Sequence, residues 1–264
     1  MAGNKHPRSD EEAAPSNISP FIPMFEVFRG DLDEHQDRRE RIIKASRDIT
    51  AFSKKMIFSL QRVRQLNGPL PSNVTKENDP RQKQITDLFT SITPDLQGLN
   101  AWRYQRDISG GIQEYMEAIS FQHYLETQQL ITYAQAQAKL PDGINLTEDD
   151  YVLGLFDLVG ELMRFAITTM ATSGEIPRSA SVENGKDRNI LTDLRALRAC
   201  FGCLDTTATG GVKREVEKKM KVMRTCVEKV EGAVYGMIIR GRERPKGWVP
   251  DAGNEERREP VETY

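Results

Sequence analysis

The stretch DYVLGLFDLVGELMRFAI, residues 150–167, decides the fold of this chain. After Asp150, its only charged side chains are Asp157, Glu161 and Arg164. At 100° per residue these three fall within an arc of about 60° on a helix. The stretch therefore predicts a largely buried α-helix that carries one narrow polar stripe.

A second acidic pair lies on another apolar stretch, GGIQEYMEAISFQHY, residues 110–124. Glu114 and Glu117 are one helical turn apart, and the other faces are apolar: Ile112, Tyr115, Met116, Ile119, Phe121 and Tyr124. Carboxylates are rarely buried without partners. Two that approach closely repel by about 4 kcal/mol at an effective dielectric constant near 20. A shared divalent cation is the simplest way to stabilise four such groups, so the pattern predicts a metal site formed by Glu114, Glu117, Asp157 and Glu161.

The pattern alone leaves a structural alternative open. A single acidic pair at one-turn spacing is usually a solvated helix face, and Arg164 is spaced to neutralise Glu161 or Asp157. If a metal is bound, an all-oxygen ligand set favours Mg²⁺ or Mn²⁺ over zinc or copper. Neither pair is followed three residues later by the histidine of di-iron bundles. His123 projects from the opposite side of its helix, so we do not expect it to be a ligand.

Composition sets the broad class of protein. The 264 residues are 29% charged and 38% hydrophobic, with a net charge of −2, so nucleic-acid binding would require local basic patches. Three cysteines, an odd number, favour free thiols in a reducing compartment, and Cys200 and Cys203 are expected in a helical core. No apolar run reaches 18 residues, which predicts no membrane span.

Apolar spacing predicts helices throughout and no convincing strand. They are expected over about 32–66, 80–92, 101–126 (with a break near Gly110 and Gly111), 131–139, from the N-cap Thr147 onward, 187–206 and 212–240. The sequence thus predicts an all-α, single-domain helical bundle of about seven helices over residues 21–245. Residues 1–20 are expected to form a disordered tail and residues 246–264 an irregular one.

The last helix has apolar residues that alternate by four and three positions: Val216, Met220, Met223, Val227, Val230, Val234 and Met237. This spacing predicts a packing seam within the bundle, with an intersubunit contact as the alternative. Two basic clusters are candidates for phosphate contacts, although an ordinary solvated face is the favoured interpretation of each. They are Arg41, Lys44, Lys55 and Arg62, and then Lys213, Arg214, Lys218, Lys219, Lys221 and Arg224.

Four segments together resemble the translin family, and specifically its X-type subunits. They are SRDITAFSKKMIFSLQRV (46–63), residues 110–131, residues 150–167 and VEKVEGAVYGMIIRGRERPK (227–246). The resemblance implies an all-α subunit that assembles with translin into a hollow hetero-octamer. It also implies a Mg²⁺-dependent endoribonuclease that cleaves single-stranded RNA in the cytoplasm and nucleus. Passenger-strand fragments in RNA silencing and transfer-RNA precursor fragments are the implied substrates.

The family's acidic active site carries over to Glu114, Glu117, Asp157 and Glu161, all of which are present. We expect Glu117 and Glu161 to be the main metal ligands, with Glu114 and Asp157 completing the shell or orienting the attacking water. One alternative is a non-catalytic helical scaffold that stabilises translin. Another is an all-α nucleotide pyrophosphohydrolase, whose second acidic pair usually comes sooner. The chain is expected to be insoluble without its partner.

Overall fold

The computed structural model describes residues 19–178, 188–204 and 213–243, the last range with side chains up to residue 239. The helices in these ranges are α1 (Ile22–Leu60), α2 (Ser72–Ile92), α3 (Leu99–Arg103), α4 (Gln105–Thr127), α5 (Tyr133–Gln137), α6 (Glu148–Ser173), α7 (Ile190–Gly202) and α8 (Lys213–Glu243). A 3₁₀ turn, Thr93–Leu96, follows α2. The same ranges hold only one isolated β-bridge, so the predicted all-α class is confirmed. Apart from Ser19 and Pro20, the predicted tails lie outside the described residues.

The long helices contact one another in the order α2, α1, α4, α6, α8 and α7. Helix α4 therefore lies between α1 and α6, which explains why its sequence is apolar on more than one face. Ile112 and Met116 are completely buried there, as are Leu158 and Leu162 on α6. The two helices that carry the acidic pairs are thus the centre of the bundle.

The predicted break at Gly110 and Gly111 is wrong, because α4 runs through both residues without interruption. Gly111 is instead a point of close approach to α1. A Cβ atom there would lie 3.0 Å from both the carbonyl oxygen and the Oγ of Ser46. The Gly111 amide also donates a hydrogen bond of 3.1 Å to Ser46 Oγ. The glycine thus serves helix packing rather than helix termination.

The boundaries of α1 and α2 also differ from prediction. Helix α1 begins about ten residues before the predicted start and ends before position 66. Its first turns expose several large apolar side chains: Phe21, Met24, Phe25, Val27, Phe28 and Leu32. Helix α2 begins at Ser72 and includes Pro80, where a start was predicted. Val74 and Asn78 are buried, and their packing stabilises the helical turns that precede this proline.

The seam of α8 packs inside the bundle, as predicted. Val227 and Val230 are fully buried, and α8 contacts α6 and α7. The prediction that Cys200 and Cys203 belong to a core is wrong, because both are exposed at the end of α7. Cys226 is the buried thiol, and burial raises its pKa above the usual value.

Candidate metal centre

Helices α4 and α6 approach closely at Gly154. A Cβ atom at this glycine would lie 2.7 Å from Met116 Cβ and 3.1 Å from the carbonyl oxygen of Gln113. Only a residue without a side chain lets the two backbones come this close. Glu117 on α4 and Asp157 on α6 lie within one turn of this contact, so the close approach brings the two acidic pairs together.

The four acidic side chains lie near enough to influence one another. Glu114 and Glu117 are half-buried, as is Asp157, whereas Glu161 is only 7% exposed. Burial and the charges of Asp157, Glu114 and Glu161 together raise the pKa of Glu117 to about 8, against a smaller opposing effect of Lys219. The structure therefore places all four predicted residues in one electrostatic neighbourhood.

Three of the four carboxylates have a cationic partner. Glu114 lies 3.7 Å from Lys54 of α1, and Glu161 lies 3.5 Å from Arg164. Both carboxylate oxygens of Asp157 accept hydrogen bonds from Lys219 of α8, at 2.6 and 2.5 Å. The sequence had identified only Arg164 as a counterion. Three cations thus face four acids.

Glu117 is the carboxylate that lacks a partner. Among the described residues, no side chain forms an ion pair or hydrogen bond with its oxygens. Because the ionised form has lost water and gained three acidic neighbours, with only a small compensating effect of Lys219, the protonated form is favoured. Glu117 is therefore the residue of this group that would gain most from a bound cation.

Gln61, just after the end of α1, is a further residue of the site that the sequence did not reveal. Its Nε2 donates to Glu161 Oε2 at 2.6 Å and to the Glu161 carbonyl oxygen at 3.0 Å. Its Oε1 is buried and has no hydrogen-bond partner among the residues that the structure describes. Nothing in the spacing of one helix points to this contact, because the two residues are 100 positions apart. The position of Lys219 did indicate that it faces the bundle, since it lies three residues after Val216 and four before Met223, on the seam face of α8.

The donor chemistry fits a hard cation, but the side chains are turned toward their counterions. In the described part of the chain, no three His, Cys, Asp or Glu side chains are arranged to hold a metal ion as they stand. Carboxylate oxygens nevertheless form the ligand set that Mg²⁺ and Mn²⁺ prefer. To act as ligands, Glu114 and Asp157 would have to turn away from Lys54 and Lys219.

His123 and the first basic cluster have neighbours other than the four acids. His123 lines a small pocket with Gln82, Glu126 and Lys139. Two members of the first basic cluster are engaged in ion pairs, Arg41 with Asp95 and Arg62 with Glu77. The first basic cluster is thus partly neutralised by neighbouring helices.

The raised pKa of Glu117 makes the free energy of unfolding depend on pH. The unfolded chain loses this proton near pH 4.5, whereas the folded chain keeps it up to about pH 8. Between these values the folded state binds more protons, so we expect stability to fall as pH rises through this window. The slope from this group is at most about 1.4 kcal/mol per pH unit, and it vanishes above the folded pKa.

Urea unfolding in EDTA, repeated across the same pH range, would measure how the free energy of unfolding depends on pH. The variant Glu117→Gln cannot titrate at this position, so the difference between the two stability curves isolates the contribution of Glu117. A difference that does not change with pH would contradict the shifted pKa.

A sequence model of the translin family matches residues 37–241. The chain is 30% identical to translin-associated protein X of Rattus norvegicus over 270 residues, which cover 93% of this chain and 88% of that protein. It is 32% identical to a translin-associated protein X homolog of Schizosaccharomyces pombe over 219 residues, 82% of this chain and 87% of the relative. The chain therefore belongs to the translin family, as its sequence segments indicated. Within the family it is similar to translin-associated protein X.

Two crystal structures share the fold. That of apo-NeC3PO aligns with a TM-score of 0.60 at 16% identity, covering 81% of this chain and 97% of the other. That of AfC3PO aligns with a TM-score of 0.57 at 20% identity, covering 83% and 99%. No helix in the described ranges is long and apolar enough to cross a membrane.

Proposed function

We propose that this chain is the catalytic subunit of a Mg²⁺-dependent endoribonuclease that assembles with a translin-type partner and cleaves single-stranded RNA. The observation that supports it most directly is the meeting of four carboxylates from α4 and α6, among which Glu117 has no counterion in the described part of the chain. A cluster with more acids than cations is poorly stabilised by the chain alone. A hard dication supplies the missing positive charge.

In this proposal Glu117 and Glu161 are the principal ligands of the ion, and Glu114 and Asp157 complete the shell or orient the attacking water. When bound, Mg²⁺ polarises the phosphodiester, lowers the pKa of a bound water and stabilises the leaving oxygen. A carboxylate that is not a ligand can accept a proton from the attacking water. Lys54 and Lys219, once released from Glu114 and Asp157, place positive charge beside an incoming phosphate.

Family membership supports the choice of RNA and of the partner. The similarity to translin-associated protein X favours assembly with translin over an independent enzyme. It also favours an RNA nuclease over the nucleotide pyrophosphohydrolase alternative. We propose passenger-strand fragments and transfer-RNA precursor fragments as substrates, in the cytoplasm and nucleus.

The decisive test is cleavage of a labelled single-stranded RNA by the full chain assembled with its translin-type partner. We expect cleavage in Mg²⁺, none after EDTA, and recovery when Mg²⁺ or Mn²⁺ is restored. A nucleoside triphosphate in the same buffer serves as the control substrate and should remain intact. Cleavage that persists in EDTA would contradict the proposed metal-dependent reaction.

A non-catalytic scaffold is the second candidate, and the ion pairs at the acids favour it. Lys54 and Lys219 join α1 and α8 to the acidic cluster as structural contacts would, and Arg164 pairs with Glu161 within α6. Under this function the wild-type complex shows no metal-dependent cleavage, and substitution of the acids leaves assembly and nucleic-acid binding unchanged. The cleavage assay therefore separates the two functions.

The exposed apolar start of α1 supports the need for a partner. Phe25 is 64% exposed and Leu32 is 68% exposed, although both are large apolar residues. Because water-exposed apolar patches of this kind promote association, we expect the chain expressed alone to elute as aggregate. Co-expression with a translin-type partner should give a discrete oligomer by size-exclusion chromatography with light scattering. A monodisperse, folded single chain would contradict this expectation.

A further inference from the structure

We propose that Asp150 is a positioning residue, which fixes the axial register of α4 against α6 and thereby sets where the two acidic pairs meet. Its carboxylate is only 2% exposed, and no basic side chain in the described ranges pairs with it. Buried carboxylates normally have a cationic or metal partner. Asp150 is stabilised instead by neutral donors, most of which belong to the neighbouring helix.

Three of these donors come from α4. Gln105 Nε2 donates to Oδ2 at 2.8 Å, and Gln113 Nε2 donates to Oδ1 at 2.8 Å. Ser109 Oγ donates to Oδ1 as well. The fourth donor is Thr147 Oγ1 of the α6 N-cap, at 2.8 Å from Oδ2. One carboxylate on α6 thus binds a row of side chains on α4.

The spacing of the row makes the contact specific for register. Gln105, Ser109 and Gln113 follow one another at intervals of four, so they line one face of α4 over about 12 Å. A shift of α4 along its axis by one turn would replace at least one of these donors with a residue from outside the row. Thr147 caps its own helix, which fixes the carboxylate relative to α6.

The hydrogen bonds between Asp150 and the row of α4 donors form a clamp, which lies along the same α4–α6 interface as the candidate metal centre. Asp150 contacts the row, Gly154 makes the close backbone approach one turn later, and Asp157 follows within the next turn. On α4, the last residue of the row, Gln113, directly precedes Glu114. Any axial shift of α4 at the clamp is therefore transmitted to the acids by a rigid helix of two turns.

A purely electrostatic role for Asp150 at the start of α6 would make a different prediction. A negative charge in the first turn stabilises a helix regardless of what the next helix carries. The α4 donors would then be dispensable, and a neutral replacement of Asp150 would have the same effect whatever its shape. The two roles can therefore be separated with variants on both helices.

The experiment compares wild type with Ser109→Ala/Gln113→Ala, Asp150→Ala and Asp150→Asn, each in the full chain assembled with its partner. The matched control is Asp193→Ala. Asp193 of α7 also accepts hydrogen bonds from Tyr124 of α4 at 2.9 Å and from its C-cap Gln128 at 2.8 Å, about two helical turns or more beyond Glu117. Each complex is crystallised without metal, and its Mn²⁺ affinity is measured by electron paramagnetic resonance.

We expect α4 to move along α6 by more than about 0.5 Å in the double variant and in Asp150→Ala, a displacement large enough to disturb a preorganised site. The same variants should lose about tenfold or more in Mn²⁺ affinity, as is typical when residues that support ligands are removed. Asp150→Asn should retain both properties, because its carbonyl oxygen still accepts from α4 and the Gln105 amide can rotate to accept from the new NH₂ group. Asp193→Ala should leave both unchanged.

An unchanged register in the double variant would overturn the inference, as would an Asp150→Asn complex that behaves like Asp150→Ala. If Asp150→Ala does not fold, the double variant decides, since its two positions are half-buried and tolerate truncation. The metal readout rests on the proposed function. If the wild type binds no more Mn²⁺ than a variant lacking all four acids, the proposed function fails, and the crystal structures alone decide the role of Asp150.

Discussion

Replacing Glu117 by glutamine is expected to reduce Mg²⁺-dependent cleavage of single-stranded RNA at least about 100-fold while the fold is retained. The substitution preserves size and shape, and the wild-type side chain is already neutral below about pH 8 in the absence of a cation. The free energy of unfolding is therefore expected to change little. The proposed reaction, in contrast, would lose the one carboxylate of the four that has no counterion among the described residues.

The matched control is Glu126→Gln, on the same helix but away from the acids. Glu126 accepts a 3.3 Å hydrogen bond from Gln122 and lines the pocket around His123. Rates are measured under single-turnover conditions with the assembled complex, and unfolding is followed by circular dichroism. Equal cleavage rates for wild type and Glu117→Gln would remove Glu117 from the proposed machinery, whereas equal losses in both variants would point to a defect of α4 as a whole.

The acidic pairs could be located from sequence because each pair depends on one helix. Spacing of three or four residues places side chains on the same face whatever surrounds the helix. The apolar residues around Glu117 and Glu161 then require that this face lie against a neighbouring helix. Local periodicity thus predicted which residues lie together on each helix, whereas the expectation that the two helices are neighbours belonged to the metal-site hypothesis and rested on the family resemblance.

The counterions could not be found in this way. Lys54 and Lys219 reach Glu114 and Asp157 from helices that are about 60 residues away in sequence, so their contacts depend on how α1 and α8 dock.

The role of Gly111 and the exposure of two cysteines also depend on packing between helices, which local spacing does not predict. Gly111 was interpreted as a break because glycine weakens an isolated helix, but the packed bundle uses it for close approach to Ser46. Cys200 and Cys203 follow helical spacing, yet they lie at the exposed end of α7.

Gly154→Ala is expected to destabilise the chain by about 1–3 kcal/mol, the usual cost of inserting a methyl group into a well-packed contact. The new Cβ would lie 2.7 Å from Met116 Cβ and 3.1 Å from the Gln113 carbonyl oxygen. Neither atom is the flexible end of a side chain, so α4 and α6 must separate. Because Glu117 and Asp157 flank this contact, the separation should also weaken Mn²⁺ binding.

Gly160→Ala, six residues further along α6, is the matched control, since a Cβ there meets no atom of the described residues within 4 Å. Alanine is the better helix former, so this variant should be stabilised by up to about 1 kcal/mol. The same chemical change on one helix is thus predicted to have opposite signs, which urea unfolding of the assembled complex would measure. Stabilisation by both substitutions would mean that α4 and α6 do not meet at Gly154, and the acids on either side of that contact would then have no reason to share an ion.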